Sequence, residues 1–211
     1  MKILANDGIS QSGIDDLTAA GFEVLTTTVA QEQLENFINT ENIVALLVRS
    51  ATTVRQDLID ACPNLKIIGR GGVGMDNIDV EYAREKGLRV INTPAASSES
   101  VAELVFAHLF SGVRFLYDSN RTMPLEGDSK FKNLKKAYAK GTELRGKTLG
   151  VIGFGRIGQA TAKMALGLGM KVIAFDPFLE KTTLSLGFYD GQTVDFEIKT
   201  VSKETVLKES D

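Results

Sequence analysis

The sequence is short of several things at once. It has a single cysteine, Cys62, so no internal disulfide can brace it, which fits a reducing compartment. Cys62 follows the apolar stretch LIDA with no histidine beside it, and reads as a buried, inert thiol. There is one histidine, His108, and no tryptophan. No apolar run approaches the ~20 residues of a membrane helix. The opening MKILANDGI turns polar too soon for a signal-peptide core, so no membrane partner is expected and the cytoplasm is the default location. A strong charge of either sign is also missing: 24 Lys+Arg stand against 27 Asp+Glu, a net charge of −3. That balance gives no global field for nucleic acid. One local run is basic, Lys130, Lys132, Lys135, Lys136, Lys140, Arg145 and Lys147, with Phe131 and Tyr138 interleaved. It reads as a solvated helix and loop rather than a phosphate-binding patch. Only 4 prolines occur and no segment is compositionally biased, so global disorder is excluded. No metal site is expected. What remains is an ordinary globular chain of 211 residues, long enough for two modest domains with separate cores.

What is present begins with alternation. Apolar runs at 2–5 (KILA), 23–26 (EVLT), 43–50 (IVALLVRS), 65–70 (LKIIGR) and 89–93 (RVINT) are separated by segments with helical apolar spacing, several of them ending in Gly. Continuous apolar strands between helices indicate a parallel sheet covered on both faces. The expected fold class is therefore α/β, with a five-stranded flavodoxin-like unit over residues 1–94. The following SSESVAELVFAHLFSGVRFLYDSNR predicts a long linking helix. Ser100 and Glu103 have capping-box spacing, and Val101, Leu104, Val105, His108 and Gly112 share one face. On that face His108 is expected to be a packed or interface histidine rather than a catalytic one, since no acidic or nucleophilic partner is placed beside it.

From Lys147 the pattern restarts with KTLGVIGF, a helix from Arg156 to about Gly167, and KVIAFDP; VDFEIKT is a possible short strand. This predicts the first half of a Rossmann domain over residues 95–211, incomplete at its C-terminus. In the usual order 3-2-1-4-5-6 the first strand would then have an open apolar edge.

Gly153-Phe154-Gly155-Arg156-Ile157-Gly158 matches G-x-G-x-x-G after an apolar strand and before a helix, and Asp176 ends the next strand, 18 residues beyond Gly158. Each part has a physical task. Gly153 permits the tight turn, Gly155 lets the backbone approach a pyrophosphate, Gly158 lets the helix pack closely, and the helix amides favour phosphate charge. A carboxylate at 176 accepts from both ribose hydroxyls and repels a 2′-phosphate, so NAD is expected over NADP. A second cluster, Gly69 to Asn77, follows LKIIGR, and both it and Arg49-Ser50-Ala51-Thr52 lie beyond strand carboxyl ends. Closely approached amides with an arginine suit a carboxylate or phosphate; the plainer alternative is a tight turn in which Asn77 or Asp79 caps the next helix.

Taken together VRSATTV (48–54), IGRGGVGMDNIDVEYAREKGLRVINTP (68–94), SVAELV (100–105) and GTELRGKTLGVIGFGRIG through VIAFDP (141–177) resemble the NAD-dependent D-2-hydroxyacid dehydrogenases, in particular their branch acting on 3-phosphoglycerate. The resemblance spans nearly the whole chain. It implies a substrate domain and a coenzyme domain with the active site in the cleft between them. It implies that Arg49, Ser50 and Gly74 face the anionic groups of a small 2-hydroxy acid, and that Val73, Arg156, Ile157 and Asp176 line the NAD site with the three glycines. A homodimer through the coenzyme domain is a further expectation.

Two features depart from the family. Ser97 stands where the phosphoglycerate branch often has Asn. The family's catalytic Arg, acidic residue and His lie late in the coenzyme domain, whereas here no Arg follows Arg156 and no His follows His108. No catalytic residue is therefore assigned within this chain. It is expected to be the amino-terminal portion of such an enzyme, with little or no turnover. The rival expectation is a non-catalytic NAD-binding or regulatory module, and a third is a related dehydrogenase for glycerate, lactate or formate.

Overall fold

In the computed structural model, which describes residues 1–211, each expected apolar run of the first half becomes a strand of one sheet. The chain divides into two units, Met1–Ser97 and Ser98–Asp211. In the first, β1 (Lys2–Ala5), α1 (Gln11–Ala19), β2 (Glu23–Leu25), α2 (Gln31–Thr40), β3 (Ile43–Val48), α3 (Gln56–Ala61), β4 (Ile67–Arg70), α4 (Val80–Glu85) and β5 (Arg89–Asn92) alternate without exception. All four strand pairings are parallel, in the order β2-β1-β3-β4-β5. This is the flavodoxin-like order, whose switch point lies at the carboxyl ends of β1 and β3. The central strands are apolar on both faces because helices cover both: Leu4, Leu46 and Ile68 are fully buried, packed with Leu34, Ile38, Val54, Leu58 and Leu65. Helix α1 starts where Ser10 Oγ accepts the Gly13 N–H at 3.3 Å.

The second unit holds α5 (Ser98–Val113), α6 (Leu116–Tyr138), β6 (Thr148–Ile152), α7 (Arg156–Gly167), β7 (Lys171–Phe175), β8 (Lys181–Gly187), β9 (Thr193–Lys199) and α8 (Lys203–Glu209). Strands β6 and β7 pair in parallel. A bridge from Ala174 to Thr200 and a 2.8 Å bond from Val201 N–H to Ala174 O begin a third parallel strand beside β7. The order is that of strands 3-2-1 of a doubly wound sheet. At the other edge of β6, Asp211 closes the first rung: its N–H donates to Thr148 O at 3.1 Å and its carboxylate accepts the Thr148 N–H at 2.9 Å.

Three expectations need correction here. The apolar stripe read on α5 is the exposed one: Leu104, Val105 and His108 face solvent, whereas Ala102 and Phe106 are buried and the latter packs with Leu144, Ala165 and Met170. Ser100 and Glu103 do not cap the helix, since α5 already begins at Ser98. The single long helix is two, broken where Phe115 takes a left-handed φ of 55°. The second of them, α6, carries Lys130, Lys132, Lys135 and Lys136 exposed, contains Pro124, kinks at Lys130 and has no buried residue. The possible strand VDFEIKT proves to be half of an antiparallel hairpin, β8 with β9, in register from Lys181↔Lys199 to Gly187↔Thr193. Its inward residues alternate, with Leu184 opposite Phe196 and Thr182 opposite Ile198, and Leu184 joins Val151, Phe154, Ala162 and Ala174 in the core.

Candidate anion- and dinucleotide-binding sites

In the first unit the loops after β1, β3 and β4 converge at the carboxyl ends of the strands. Arg49 and Ser50 follow β3 directly and are exposed. The Arg49 peptide is pinned from both sides. Its N–H donates to Asp7 Oδ2 at 2.6 Å, and its carbonyl accepts from Arg70 Nε at 3.0 Å and Asn77 Nδ2 at 2.9 Å. The main chain is held while the guanidinium is left exposed and unpaired within the chain.

Asp7 and its neighbours escaped the sequence reading. Besides Arg49, Asp7 accepts the Thr52 N–H at 3.1 Å and the Thr52 hydroxyl at 2.5 Å. Burial opposes ionisation of Asp7, but the Thr52 hydroxyl and the N–H groups of Arg49, Thr52 and Ala51 outweigh it and hold the carboxyl below the ordinary carboxylate range. Asn6 supports the same loop, donating to Thr52 Oγ1 at 2.8 Å and to Val29 O at 3.1 Å while accepting the Val29 N–H. The Arg49 and Thr52 amides thus serve an internal anion, not an external one. The signal for this was the polar pair Asn6-Asp7 at the end of an apolar strand, where ligand loops gather.

The glycine loop after β4 behaves differently. Its carbonyls are occupied: Gly72 O accepts the Thr93 N–H at 3.1 Å, Val73 O accepts Asn92 Nδ2 at 2.7 Å, and Gly74 O accepts from the Arg70 guanidinium. The N–H groups of Val73 and Gly74 find no acceptor in the chain, and both residues are exposed. Arg70 ties the two loops together, donating to Arg49 O and Gly74 O, and lies 3.8 Å from Asp76. Neither Asn77 nor Asp79 caps α4 with its side chain. Asn77 also donates to Thr52 O at 2.6 Å, and Asp79 accepts from Arg55 at 2.9 Å and from the Gln56 N–H at the start of α3. The arrangement can therefore bind a small anion through one free guanidinium, Ser50 and two free amides.

In the second unit the turn between β6 and α7 has the geometry that its glycines require. Gly153 sits at φ 92° and donates to Phe175 O at 2.8 Å. A Cβ on Gly158 would lie 2.2 Å from Gly153 O, so only glycine lets the helix approach this closely. Gly155 precedes the helix, and the first intrahelical bond is given by Gln159 N–H to Gly155 O at 2.9 Å. The N–H groups of Arg156, Ile157 and Gly158 consequently have no helical acceptor and present partial positive charge at an exposed surface. Asp176 ends β7 beside them: Oδ2 accepts the Phe154 N–H at 2.7 Å and Oδ1 the Phe178 N–H at 2.9 Å. An ionised carboxylate offers about four acceptor positions, so two remain for ligand hydroxyls. Phe154 itself is fully buried in the core. Arg49, Ser50, Val73 and Gly74 belong to the first unit and Gly153, Gly155, Arg156, Ile157, Gly158 and Asp176 to the second.

Residues 3–208 match the family described as D-isomer specific 2-hydroxyacid dehydrogenase, catalytic domain. Among curated proteins, a hydroxypyruvate reductase of Thermotoga maritima is 45% identical over 89% of this chain and 59% of its own length. A D-3-phosphoglycerate dehydrogenase of Methanocaldococcus jannaschii is 42% identical over 86% of this chain and 33% of its own. The chain thus spans about three-fifths and one-third of these two relatives. Among solved structures, an NAD+-bound 3-phosphoglycerate dehydrogenase of Entamoeba histolytica superposes over the whole chain and 60% of its own with a TM-score of 0.68 and 28% identity. With a parallel five-stranded α/β unit, a glycine-turn unit ending in Asp176 and a family match over nearly its whole length, this chain belongs to the D-isomer specific 2-hydroxyacid dehydrogenases.

Proposed function

We propose that these residues supply the substrate- and coenzyme-binding parts of an NAD-dependent oxidation of 3-phosphoglycerate at its 2-hydroxyl. In this reading Arg49, Ser50 and Gly74 take the anionic groups of the substrate. Gly153, Gly155, Arg156, Ile157, Gly158 and Asp176 take NAD; Val73, which the family resemblance puts on the NAD side, offers its free amide beside that of Gly74 in the first unit. The observation that carries it is the pairing of free helix N–H groups with the two unused acceptor positions of Asp176, the combination a diphosphate followed by a ribose diol would fill. When bound, NAD would accept the hydride. The chain's own groups bind and orient: the Gly153–Gly158 turn holds the pyrophosphate, Asp176 reads the ribose, and Arg49 sets the acid in place.

Removing the hydroxyl proton near neutral pH calls for a base such as imidazole. The only imidazole present, His108, is exposed on α5 and belongs to neither site. We therefore propose that the 211 residues bind but turn over little; separately, the family resemblance leads us to propose a homodimer, and the composition a cytoplasmic location. Titrating the chain with NAD and assaying it with NAD and 3-phosphoglycerate tests this: binding without NADH formation is expected, and a normal rate would overturn the inactivity. The 45% identity to a hydroxypyruvate reductase favours a second reading, in which the acid is D-glycerate. Comparing the affinities of glycerate and 3-phosphoglycerate separates the two.

A further inference from the structure

We infer that Asp7 is a positioning residue of the anion site: its carboxylate ties down the Arg49–Thr52 loop, so that charge recognition passes to the Arg49 guanidinium and the free amides of Val73 and Gly74. This rests on the reading of Arg49 as the substrate's anion partner. Three observations carry it. Asp7 takes the N–H of Arg49 at 2.6 Å and both the N–H and the hydroxyl of Thr52, so these three donors of the loop are consumed from inside. The opposite side of the Arg49 peptide is fixed independently, by Arg70 and Asn77 on its carbonyl. The side chain rooted in this held backbone is itself exposed and unpaired. A main chain held by charged groups on both sides fixes the point from which the free guanidinium reaches.

The sign of one effect distinguishes positioning from mere proximity. A carboxylate so close to an anion site repels the ligand, so neutralising it would tighten binding if charge were its only influence. If Asp7 positions Arg49, neutralising it weakens binding, because Asn places its NH2 or a single oxygen against several donors and the loop shifts.

The test is calorimetric titration of the full 211-residue chain with 3-phosphoglycerate and, separately, with NAD. Asp7→Asn is expected to raise the dissociation constant for 3-phosphoglycerate at least tenfold while that for NAD stays within twofold. Adding Arg49→Gln to Asp7→Asn is expected to change it less than twofold further, because one residue acts through the other. An unchanged or tighter affinity for 3-phosphoglycerate in Asp7→Asn, or additive effects in the double variant, would overturn the inference. If Arg49→Gln alone leaves the affinity unchanged, the underlying reading of the site falls and the inference with it. Should Asp7→Asn not fold, Asp7→Ser, which keeps one acceptor without the charge, is held to the same outcomes.

Discussion

Gly158 offers the sharpest test of the dinucleotide turn, because the contact that forbids any other residue there is a backbone one. A Cβ built on Gly158 meets Gly153 O at 2.2 Å and Val151 Cγ1 at 3.1 Å. The first cannot be relieved by rotating a side chain. Helix α7 has to back away from the turn by about 1 Å, and overpacking of this kind costs ~3 kcal/mol at the upper end of its usual range. Alanine recovers up to ~1 kcal/mol of helix propensity. The net destabilisation expected for Gly158→Ala is about 2 kcal/mol, or a fall in Tm of roughly 8 °C for a unit of this size. The same movement displaces the N–H groups of Arg156 and Ile157, so NAD affinity is expected to drop at least tenfold. Gly167→Ala is the control. It sits at the far end of the same helix with nothing within 4 Å of the added carbon, and is expected to raise stability by up to ~1 kcal/mol with NAD binding unchanged. Thermal melts and NAD titrations of both variants decide the matter. A Gly158→Ala protein that melts at or above the parent and keeps its NAD affinity would refute the close-packing argument.

Three further outcomes follow from the geometry. Asp176→Ala should weaken NAD by about 1.5–3 kcal/mol, the loss of hydrogen bonds to a charged acceptor, and NADP by less, so the ratio of the two dissociation constants in parallel titrations should move toward NADP. Burial, reinforced by nearby Glu35, raises the Cys62 thiol to about 11 from its ordinary 9.0. Because the folded value is the higher one, the contribution is complete below pH 9.0 and lost as pH rises to about 11; denaturation of Cys62→Ala across that window should lack this loss, and the native thiol should resist a thiol reagent until unfolded. On α5, Leu104→Lys should leave stability within ~0.5 kcal/mol, whereas Phe106→Ala should cost about 3–5 kcal/mol, as measured by urea unfolding.

The α5 pair also shows why part of the fold was legible and part was not. In the first unit the inner strands were readable because parallel strands covered by helices have to be apolar on both faces, and IVALLV or LKIIG has no other way to be buried. Helix α5 is rich in apolar residues on more than one face, so periodicity alone offers two candidate stripes. The choice is made by what packs against it, Leu144, Ala165 and Met170, which lie 31 to 72 residues further on. The hairpin was within reach: Leu184 and Leu186 in one segment and Val194, Phe196 and Ile198 in the other alternate with period two around Asp190-Gly191, and an Asp-Gly between such runs is a turn signal.

For the sites the division is sharper. A pattern such as G-x-G-x-x-G states which residues lack side chains, and that requirement is local, so Gly153 and Gly158 could be assigned their tasks before any fold was known. A hydrogen-bond donor has no such autonomy. Whether the amides of 49–52 and of 73–74 are available depends on which acceptors the fold brings to them. Asp7 is 42 positions from Arg49, and nothing in either segment announces the other. The Arg49 loop spends its Arg49 and Thr52 amides on Asp7. The glycine loop has Arg70 tied to two carbonyls, with its own amides of Val73 and Gly74 left free. Residue types point to the ends of strands β1, β3 and β4 as the place where polar loops gather, while which donors stay free there is decided by contacts between segments far apart in the sequence. Since an N–H already given to a carboxylate cannot also hold a phosphate, the selectivity of this unit should follow the Arg49 side chain and the Val73 and Gly74 amides rather than the backbone of the Arg49 loop.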